Sequence, residues 1–285
     1  MLLRQFISGG TEALGSLYPP EEARGIVLRL CRDMLGVESY THVVEPDFRV
    51  PESAEAALAD ALVRLKSGEP LQYVTGWQEF CGRRFRVSPA VLIPRPETEQ
   101  LVQAALSRAA EAGEGPLRIL DLCTGSGCIA WSLSLGLPSA SVTGIDISHE
   151  ALDLAGAQFP CPGPAFLEMD VLDPPDEADG APFHIITANP PYIRESEKAA
   201  MHANVLEHEP HLALFVPDDD PLVFYRSISV WAGRFLAPGG WCIAEINEAL
   251  GDAVAGLFRS CGFEKVRKIR DFFGKERFVS FEKGL

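Results

Sequence analysis

The stretch "NPPY", Asn189 to Tyr192, places an amide, two prolines and an aromatic ring directly after the apolar run "FHIITA". Pro190 and Pro191 have fixed φ angles and no N–H group, so the carbonyl groups around them can act as rigid acceptors. The Asn189 side chain adds an oxygen acceptor, and the Tyr192 ring offers a flat face to a planar group. Two convergent acceptors match the two donors of an –NH2 group, which predicts a site for an amide or an exocyclic amine.

A glycine-rich turn, "CTGSG" at residues 123–127, follows the apolar segment "LRILDL" and precedes a helical pattern. In a doubly wound sheet a cofactor binds at such a turn, at the carboxyl ends of the strands. The next strand ends at Asp146, where an acid can hydrogen-bond a ribose diol, and the third ends at Asp170. Each acid alone could simply cap a helix or a turn. Three such features at three successive strand ends favour a cofactor site.

The composition of this turn separates the possible cofactors. Cys123 holds the first glycine position of the dinucleotide pattern, and no Gly-Lys-Ser/Thr follows, which excludes a P-loop. Asp121 stands just before the turn, whereas a pyrophosphate prefers an uncluttered helix N-terminus. S-adenosyl-L-methionine carries an ammonium group and a positive sulfur, which nearby acids suit electrostatically. The acidic turn therefore favours S-adenosyl-L-methionine, with S-adenosyl-L-homocysteine as its product.

An amide or exocyclic amine is a poor nucleophile, because its lone pair is delocalised. Acceptors that hold both hydrogens would leave the lone pair directed at a methyl group. Positioning and preorganised polar groups would then carry the rate. A strong base is unnecessary, because the proton becomes acidic only as the N–C bond forms. The alternative interpretation is a proline-terminated strand with Asn189 in a turn.

Hydrophobic patterns divide the chain into segments. Residues 1–70 show helical spacing, for example in "PESAEAALADALVRLKSG". The segment "QEFCGRRFRV" predicts a hairpin around Gly82, and "SPAVLIPRPETEQ" is a stiff proline-rich connector. A helix over 96–113 then opens an alternation of apolar strands and helices, which predicts a parallel sheet covered on both faces. Two consecutive strands around "FGKE" predict one antiparallel strand at the end of the chain.

Composition and charge limit the possible functions. The formal net charge is −15, so binding to nucleic acid would need a local basic patch. The densest basic stretches, "CGRRFR" and "KVRKIR", alternate as exposed strand faces do. Seven scattered cysteines without a C-x-x-C pair indicate a reducing, cytoplasmic environment and no zinc site or other metal site. No apolar run approaches the roughly 18 residues of a membrane span, and we predict no signal peptide.

The ordered motifs "DLCTGSG", "GIDIS", "EMDVL" and "NPPYI" resemble those of class I S-adenosylmethionine-dependent methyltransferases that act on amino groups. Residues 70–102, "PLQYVTGWQEFCGRRFRVSPAVLIPRPETEQLV", resemble the connector of the bacterial protein-(glutamine-N5) methyltransferases that modify peptide chain release factors. The segments "LEHEPHLALF", "LAPGGWCIAEI" and "RDFFGKERFV" also fit that family. This connector is more specific than the glycine turn.

The resemblance implies an α/β fold with a seven-stranded Rossmann-like methyltransferase sheet. It also implies three parts: a helical substrate-recognition domain over 1–72, a hairpin and proline-rich linker over 73–96, and a cofactor-binding catalytic domain over 97–285. The implied reaction methylates the glutamine side-chain amide in the Gly-Gly-Gln loop of class I release factors. The implied partners are those release factors, with no direct contact to nucleic acid or membrane, and we expect a monomer.

Site residues are carried over from the family by position. Asp146 would hold the ribose, and Asp170 and Val171 would flank the adenine. Asn189 and the Pro190 carbonyl would grip the substrate amide next to the cofactor, with Tyr192 over it, so that Asn189, Pro190 and Tyr192 are the catalytic candidates and Pro191 completes the substrate site. The methionine end of the cofactor would meet the turn formed by Asp121, Cys123, Thr124, Gly125, Ser126 and Gly127.

Two positions depart from the family pattern. Cys123 stands where the family usually has Gly, and a positive φ there would cost about 1 kcal/mol of strain and lower cofactor affinity. After "EI" the family commonly shows a Gly and later a Gln, whereas this chain has "NEAL". We expect that edge to lie outside the site. Single roles within "IPRPETE" stay unassigned, although the segment is expected to line the floor of the site.

Three alternatives share parts of this pattern. A sister enzyme could methylate glutamine on a ribosomal protein, but the connector "RPETE" favours the release-factor enzyme. An adenine-N6 methyltransferase would need a basic cleft and usually a target-recognition domain. A non-catalytic binding module would have no need for two acceptors aimed at one nitrogen.

Overall fold

The computed structural model describes residues 1–111, 115–176 and 180–285. Its N-terminal part is helical, as the hydrophobic spacing predicts. Helix α2 begins with Pro20, whose fixed φ suits a first helical position, and ends at Leu35, before Gly36, which caps it with a left-handed φ of 68°. The helices bury a shared apolar cluster that includes Leu30, Leu58 and Leu65. Their bounds are α1 Leu3–Leu14, α2 Pro20–Leu35, α3 Thr41–Val44, α4 Glu52–Lys66 and α5 Leu71–Thr75.

The predicted hairpin is present. Strands β1 (Trp77–Phe80) and β2 (Arg83–Arg86) pair in a two-stranded sheet. The two linking residues, Cys81 and Gly82, both have positive φ, at 49° and 69°, as tight hairpin turns require. A short 3-10 turn, Pro96–Thr98, then leads into α6 (Glu99–Glu111). The predicted end of that helix at residue 113 lies outside the described residues.

The main sheet has seven strands in the order β10-β11-β9-β6-β3-β4-β5. Strands β3, β4, β5, β6 and β9 run parallel, and β11 is antiparallel to both of its neighbours. The predicted fold class and the single antiparallel strand are therefore confirmed. The strand bounds are β3 Arg118–Leu122, β4 Ser141–Asp146, β5 Ala165–Glu168, β6 Phe183–Ala188, β9 Leu236–Glu245, β10 Glu264–Arg270 and β11 Glu276–Glu282. A separate short pair joins β7 (Ile193–Arg194) to β8 (Phe215–Val216).

Both faces of the sheet are covered, because successive strand residues point to opposite sides. The remaining helices are α7 Cys128–Gly136, α8 His149–Gly156, α9 Ala203–His208, α10 Val223–Phe235 and α11 Gly251–Ser260. Leu120 and Leu122 enter one apolar cluster with α10 and α11, whereas Ile119 enters the other with α6 and α7. Because the strands are parallel, their carboxyl ends lie along one edge, where ligands bind in open α/β sheets.

The chain divides into two compact units. One comprises Met1–Trp77 with Met201–His208, and the other Gln78–Ala200 with Glu209–Leu285. The domain limits predicted from the sequence, at residues 72 and 96, stay a proposal. In the part of the chain that the structure describes, no helix is both long and apolar enough to cross a membrane.

We predict that Phe258→Ala destabilises the sheet-containing unit by about 3–5 kcal/mol, because a fully buried ring is removed and its cavity cannot close completely. The ring is 0% exposed and lies 4.5 Å from that of Phe281 and 6.5 Å from that of Tyr225. Urea unfolding followed by circular dichroism measures the change. Phe273→Ala is the matched control, because that ring is 79% exposed. Equal shifts for the two variants would contradict the assignment of Phe258 to the core.

Candidate active site

A cavity of about 480 Å³ lies at the carboxyl edge of the parallel strands, within the usual size range of small-molecule sites. Four of the predicted site residues, Asp121, Gly127, Pro190 and Tyr192, are not part of its wall. The predicted residues that line it are Cys123, Thr124, Gly125, Ser126, Asp146, Asp170, Val171, Asn189 and Pro191. The structure thus places nine of the predicted positions around one space.

The turn after β3 has the strained backbone that its sequence suggested. Cys123 has a φ of 58°, and Gly125 and Gly127 have φ of 53° and 75°. A Cβ on Gly127 would also lie 3.0 Å from the Cβ of Ala155, so close helix packing requires glycine there. Burial, together with the neighbouring aspartates, raises the pKa of the Cys123 thiol well above its ordinary value. The thiol is therefore neutral, and the positive φ carries the predicted strain of about 1 kcal/mol.

Asp146 both lines the cavity and organises its wall. Its carboxylate accepts hydrogen bonds from the backbone N–H of Gly125, at 2.8 Å, and of Ser148, at 3.0 Å. The Ser148 hydroxyl in turn accepts from the N–H of Ala151 and caps α8. Burial raises the pKa of Asp146, and its hydrogen bonds to backbone N–H groups oppose that rise. The carboxylate therefore caps the turn before α8 and also lines the cavity, and its contact with a ribose stays a prediction.

Asp121 lies behind the cavity wall. Its side chain is 0% exposed and accepts hydrogen bonds from the hydroxyls of Thr124, at 2.6 Å, and Thr187, at 2.7 Å. Burial raises its pKa to about 7. Its position corrects the expectation of direct cofactor contact, because the Thr124 side chain takes up one carboxylate oxygen. Asp121 instead braces the turn that forms the wall.

Asn189 is held by two residues to which the sequence assigned no role. Its Nδ2 donates to the Thr98 hydroxyl at 3.4 Å, and that hydroxyl donates to the Glu245 Oε2 at 2.7 Å. The Tyr192 hydroxyl donates to the other oxygen of Glu245 at 2.9 Å. Tyr192 is thus bonded behind the cavity wall, which differs from its predicted place over the substrate. Thr98 lies in the "RPETE" connector, which the sequence predicted to line the floor of the site, whereas Glu245 ends β9 and only the fold brings it to Thr98.

Asn247 supports the site from outside the cavity. No residue of the "NEAL" segment lines the cavity, but the Asn247 Nδ2 donates to the Tyr192 carbonyl at 3.2 Å and to Glu197 Oε2 at 2.9 Å. The reason is topological: β9 is the neighbour of β6, so the residues after each strand meet. Asn247 therefore fixes the backbone of the Asn-Pro-Pro-Tyr segment directly.

The connector is joined to the "HEPHL" segment by a buried carboxylate. Glu209 is 4% exposed, bonds Arg95 at 2.6 Å, and accepts from the N–H of Ile93 at 3.1 Å. Pro210, Leu212 and Ala213 follow Glu209 and line the cavity. The histidines of this segment belong to no metal-binding group of three or more ligands in the described ranges.

Comparisons with known proteins agree with this geometry. A family model described as "Methyltransferase domain" matches residues 119–208, and one described as "PrmC N-terminal domain" matches residues 5–76. A release factor glutamine methyltransferase of Bacteroides thetaiotaomicron is 43% identical over 94% of this chain and 96% of its own length. The chain belongs to the release factor glutamine methyltransferase family. A second relative of that name, from Flavobacterium psychrophilum, is 36% identical over 98% of both chains.

A solved methyltransferase from Pyrococcus furiosus, 15% identical, covers 82% of this chain and all of its own with a TM-score of 0.51, which supports the fold.

As a member of the family the protein is a methyltransferase that uses S-adenosyl-L-methionine. The cavity suits that cofactor, because the carboxylates of Asp146, Asp170 and Glu150 line it and favour a cation. Among described residues, the buried Ser126 hydroxyl has no partner beyond the weak Cys128 thiol, so a polar ligand group can bond it.

The buried carboxyl of Asp121 gives this methyltransferase a testable pH dependence. Its pKa is raised from 3.8 to about 7 in the folded state. As pH rises between these values, the unfolded chain releases the proton while the folded chain keeps it, so the folded state loses stability. We predict that the unfolding free energy of the wild type, relative to Asp121→Asn, falls by up to about 4 kcal/mol between pH 4 and pH 7. Urea titrations without cofactor measure this difference, and a constant difference would contradict the raised pKa.

Proposed function

We propose that the protein transfers a methyl group from S-adenosyl-L-methionine to the side-chain amide nitrogen of the glutamine in the Gly-Gly-Gln loop of class I release factors. The observation that carries the proposal is the position of Asn189, which directly follows β6 and lines the same cavity as the glycine turn. Family membership supports the substrate, because the curated relatives are named for release factor glutamine.

The proposed roles follow the chemistry of an amide nitrogen. The cofactor supplies a methyl group activated by a positive sulfur. The Asn189 Oδ1 and the Pro190 carbonyl accept the two amide hydrogens, which orients the nitrogen toward that methyl group. Pro191 forms part of the cavity wall beside them, and the rigid φ of both prolines limits movement of these acceptors. Positioning of the amide nitrogen therefore supplies most of the rate enhancement.

The proposed cofactor contacts are made by the cavity residues at the carboxyl ends of β3, β4 and β5. Asp146 holds the ribose, and Asp170 and Val171 flank the adenine, next to the apolar side chains of Ile147 and Leu172 that line the same cavity. The turn formed by Cys123, Thr124, Gly125, Ser126 and Gly127 surrounds the methionine end. Asp121 supports that turn through Thr124, without a direct contact.

Charge favours a protein substrate over nucleic acid. The basic strand β10 is compensated by acids, since Lys268 bonds Asp252 at 2.7 Å and Glu276 at 2.8 Å, and Lys265 bonds Glu282 at 2.6 Å. These pairs offset positive charge on that strand, in a chain with a net charge of −15, whereas a duplex requires a local positive potential. The adenine-N6 reaction is therefore disfavoured, whereas a ribosomal-protein glutamine stays a competing substrate.

The substrate itself is tested by mapping the methylated residue. The protein is incubated with labelled S-adenosyl-L-methionine and either a class I release factor or ribosomal proteins. Mass spectrometry then locates the label. We expect one methyl group on the Gly-Gly-Gln glutamine of the release factor. Labelling of a ribosomal protein alone would replace this substrate with the alternative.

We predict that Asn189→Ala lowers kcat at least about 100-fold, because one of the two acceptors that orient the nitrogen is lost. Cofactor affinity should change less than about threefold, since the methionine and ribose contacts remain. Single-turnover rates on release factor and calorimetric titration of S-adenosyl-L-homocysteine measure the two effects. Asn204→Ala is the matched control, because Asn204 is not among the cavity residues. Near-normal turnover by Asn189→Ala would refute the proposed mechanism.

We also propose that the N-terminal helical unit, in a monomeric enzyme, recognises the body of the release factor. Its α3 helix and the residue before it expose three large apolar side chains: Tyr40 at 58%, Val43 at 67% and Val44 at 62%. Such a group of exposed apolar side chains is typical of interaction surfaces.

We predict that the triple variant Tyr40→Ser, Val43→Ser, Val44→Ser raises the KM for whole release factor at least about tenfold, because the apolar contact area is lost. The KM for a short Gly-Gly-Gln peptide should not change, since a peptide reaches only the cavity. Steady-state kinetics with both substrates measure the ratio. An equal effect on the two substrates, or none on either, would contradict a recognition role for this surface.

A further inference from the structure

We propose that Thr98 and Glu245 are positioning residues that fix the orientation of the Asn189 side-chain amide. This inference rests on the proposed function, because it concerns the acceptor that holds the substrate nitrogen. Both residues are buried, with Thr98 at 2% and Glu245 at 1% exposure. Neither belongs to the glycine turn or to the Asn-Pro-Pro-Tyr segment.

The first step is the direction of the bonds at Glu245. Its two oxygens are bonded by two different hydroxyl groups, Thr98 at 2.7 Å and Tyr192 at 2.9 Å. An ionised carboxylate can only accept hydrogen bonds. Each hydroxyl has one hydrogen, so each must use that hydrogen to donate to Glu245. Burial raises the pKa of the Glu245 carboxyl, and the hydrogen bonds from the Thr98 and Tyr192 hydroxyls, followed by the charge of Arg277, oppose that rise. The two short hydroxyl bonds are thus the geometric feature that favours the ionised form.

The second step is the bond between Thr98 and Asn189. Because the Thr98 hydrogen is already used, its oxygen can only accept from the amide, at 3.4 Å. The group that faces Thr98 must therefore be the Nδ2 of Asn189, and the Oδ1 is left for the cavity that Asn189 lines. The carboxylate thus determines the orientation of an amide with which it shares no direct bond.

The third step is what the reverse orientation would do. The two ends of an amide side chain are nearly identical in shape, so only hydrogen-bond partners distinguish them. If Thr98 donated to Asn189 instead, the amide would turn over and present its –NH2 group to the cavity. The –NH2 group of Asn189 would then face the –NH2 group of the substrate amide. Both groups are donors, so the substrate amide would have no acceptor at this position. Glu245 prevents that orientation by consuming the Thr98 hydrogen.

The test compares Thr98→Ser, Thr98→Val and Glu245→Gln. Serine keeps the hydroxyl, and we expect it to retain at least about a third of the wild-type kcat. Valine has nearly the same shape without a hydroxyl, and we expect kcat to fall about 10-fold to 100-fold. In Glu245→Gln an –NH2 group replaces one of the two acceptor oxygens, so only one of the two hydroxyl groups can still donate to the side chain. We expect kcat to fall about 5-fold to 20-fold. For all three, the Kd of S-adenosyl-L-homocysteine should stay within about twofold of wild type.

A double variant separates positioning from simple packing. If Glu245 acts through Thr98, the combined loss of kcat in Thr98→Val with Glu245→Gln should be far smaller than the product of the two single losses. Thr11→Val is the matched control, because the Thr11 hydroxyl donates to a carbonyl of its own helix, that of Ile7, at 2.7 Å. The proposal is overturned by a Thr98→Val variant with wild-type kcat, by serine and valine variants that are equally impaired, or by a parallel loss of cofactor affinity.

A measurement without turnover keeps this proposal separate from the proposed substrate. The side-chain amide of Asn189 gives its own nitrogen–proton signals in an NMR spectrum of labelled protein. We expect these signals to shift in Thr98→Val and to stay close to their wild-type positions in Thr98→Ser. Unchanged signals in Thr98→Val would overturn the positioning role, whereas a wild-type protein inactive on release factor would overturn only the substrate.

Discussion

Two buried carboxylates at the ends of parallel strands each need two hydrogen-bond donors, and the shape of the site depends on how those donors are supplied. Asp121 accepts hydrogen bonds from the hydroxyls of Thr124 and Thr187, and Glu245 accepts them from the hydroxyls of Thr98 and Tyr192. A buried carboxylate that lost such a partner would carry a large desolvation cost. The carboxylates therefore hold four side chains from separate segments in fixed positions. The glycine turn and the Asn-Pro-Pro-Tyr segment are each attached to one of them.

The strand order explains why these partners can meet. Strand β6 lies between β3 and β9, so the ends of all three lie side by side at one edge. Thr187 near the end of β6 reaches Asp121 on β3, while Asn189 and Tyr192 just beyond β6 are linked to Glu245 on β9, Asn189 through Thr98 and Tyr192 directly. The strand that carries the amide-binding segment is thus braced from both neighbours. A shift in the register of β6 would disturb the cofactor wall and the substrate wall together.

Much of this arrangement could be predicted from the sequence, because local patterns carry it. The strand–helix alternation gave the sheet, and Asp146, Asp170 and Asn189 each follow an apolar run, which places them at one edge. The role of Glu245 could not be predicted in this way, since its bond to Thr98 joins residues 147 positions apart. The contact of Asn247 with Tyr192 could not be predicted for a related reason, because only the pairing of β9 with β6 brings the residues after these two strands together.

The same acids that shape the site also determine which ligand it favours. Asp121, Asp146 and Asp170 lie around the glycine turn. Burial raises the pKa of the Cys123 thiol and of Asp121, and the nearby Asp146 carboxylate adds to both rises. The turn thus holds closely spaced negative charge on a strained backbone, with Cys123 at a φ of 58°. A positively charged ligand relieves that repulsion, whereas an anionic pyrophosphate would add to it. Electrostatics therefore selects a sulfonium cofactor over a dinucleotide on a fold that can hold either.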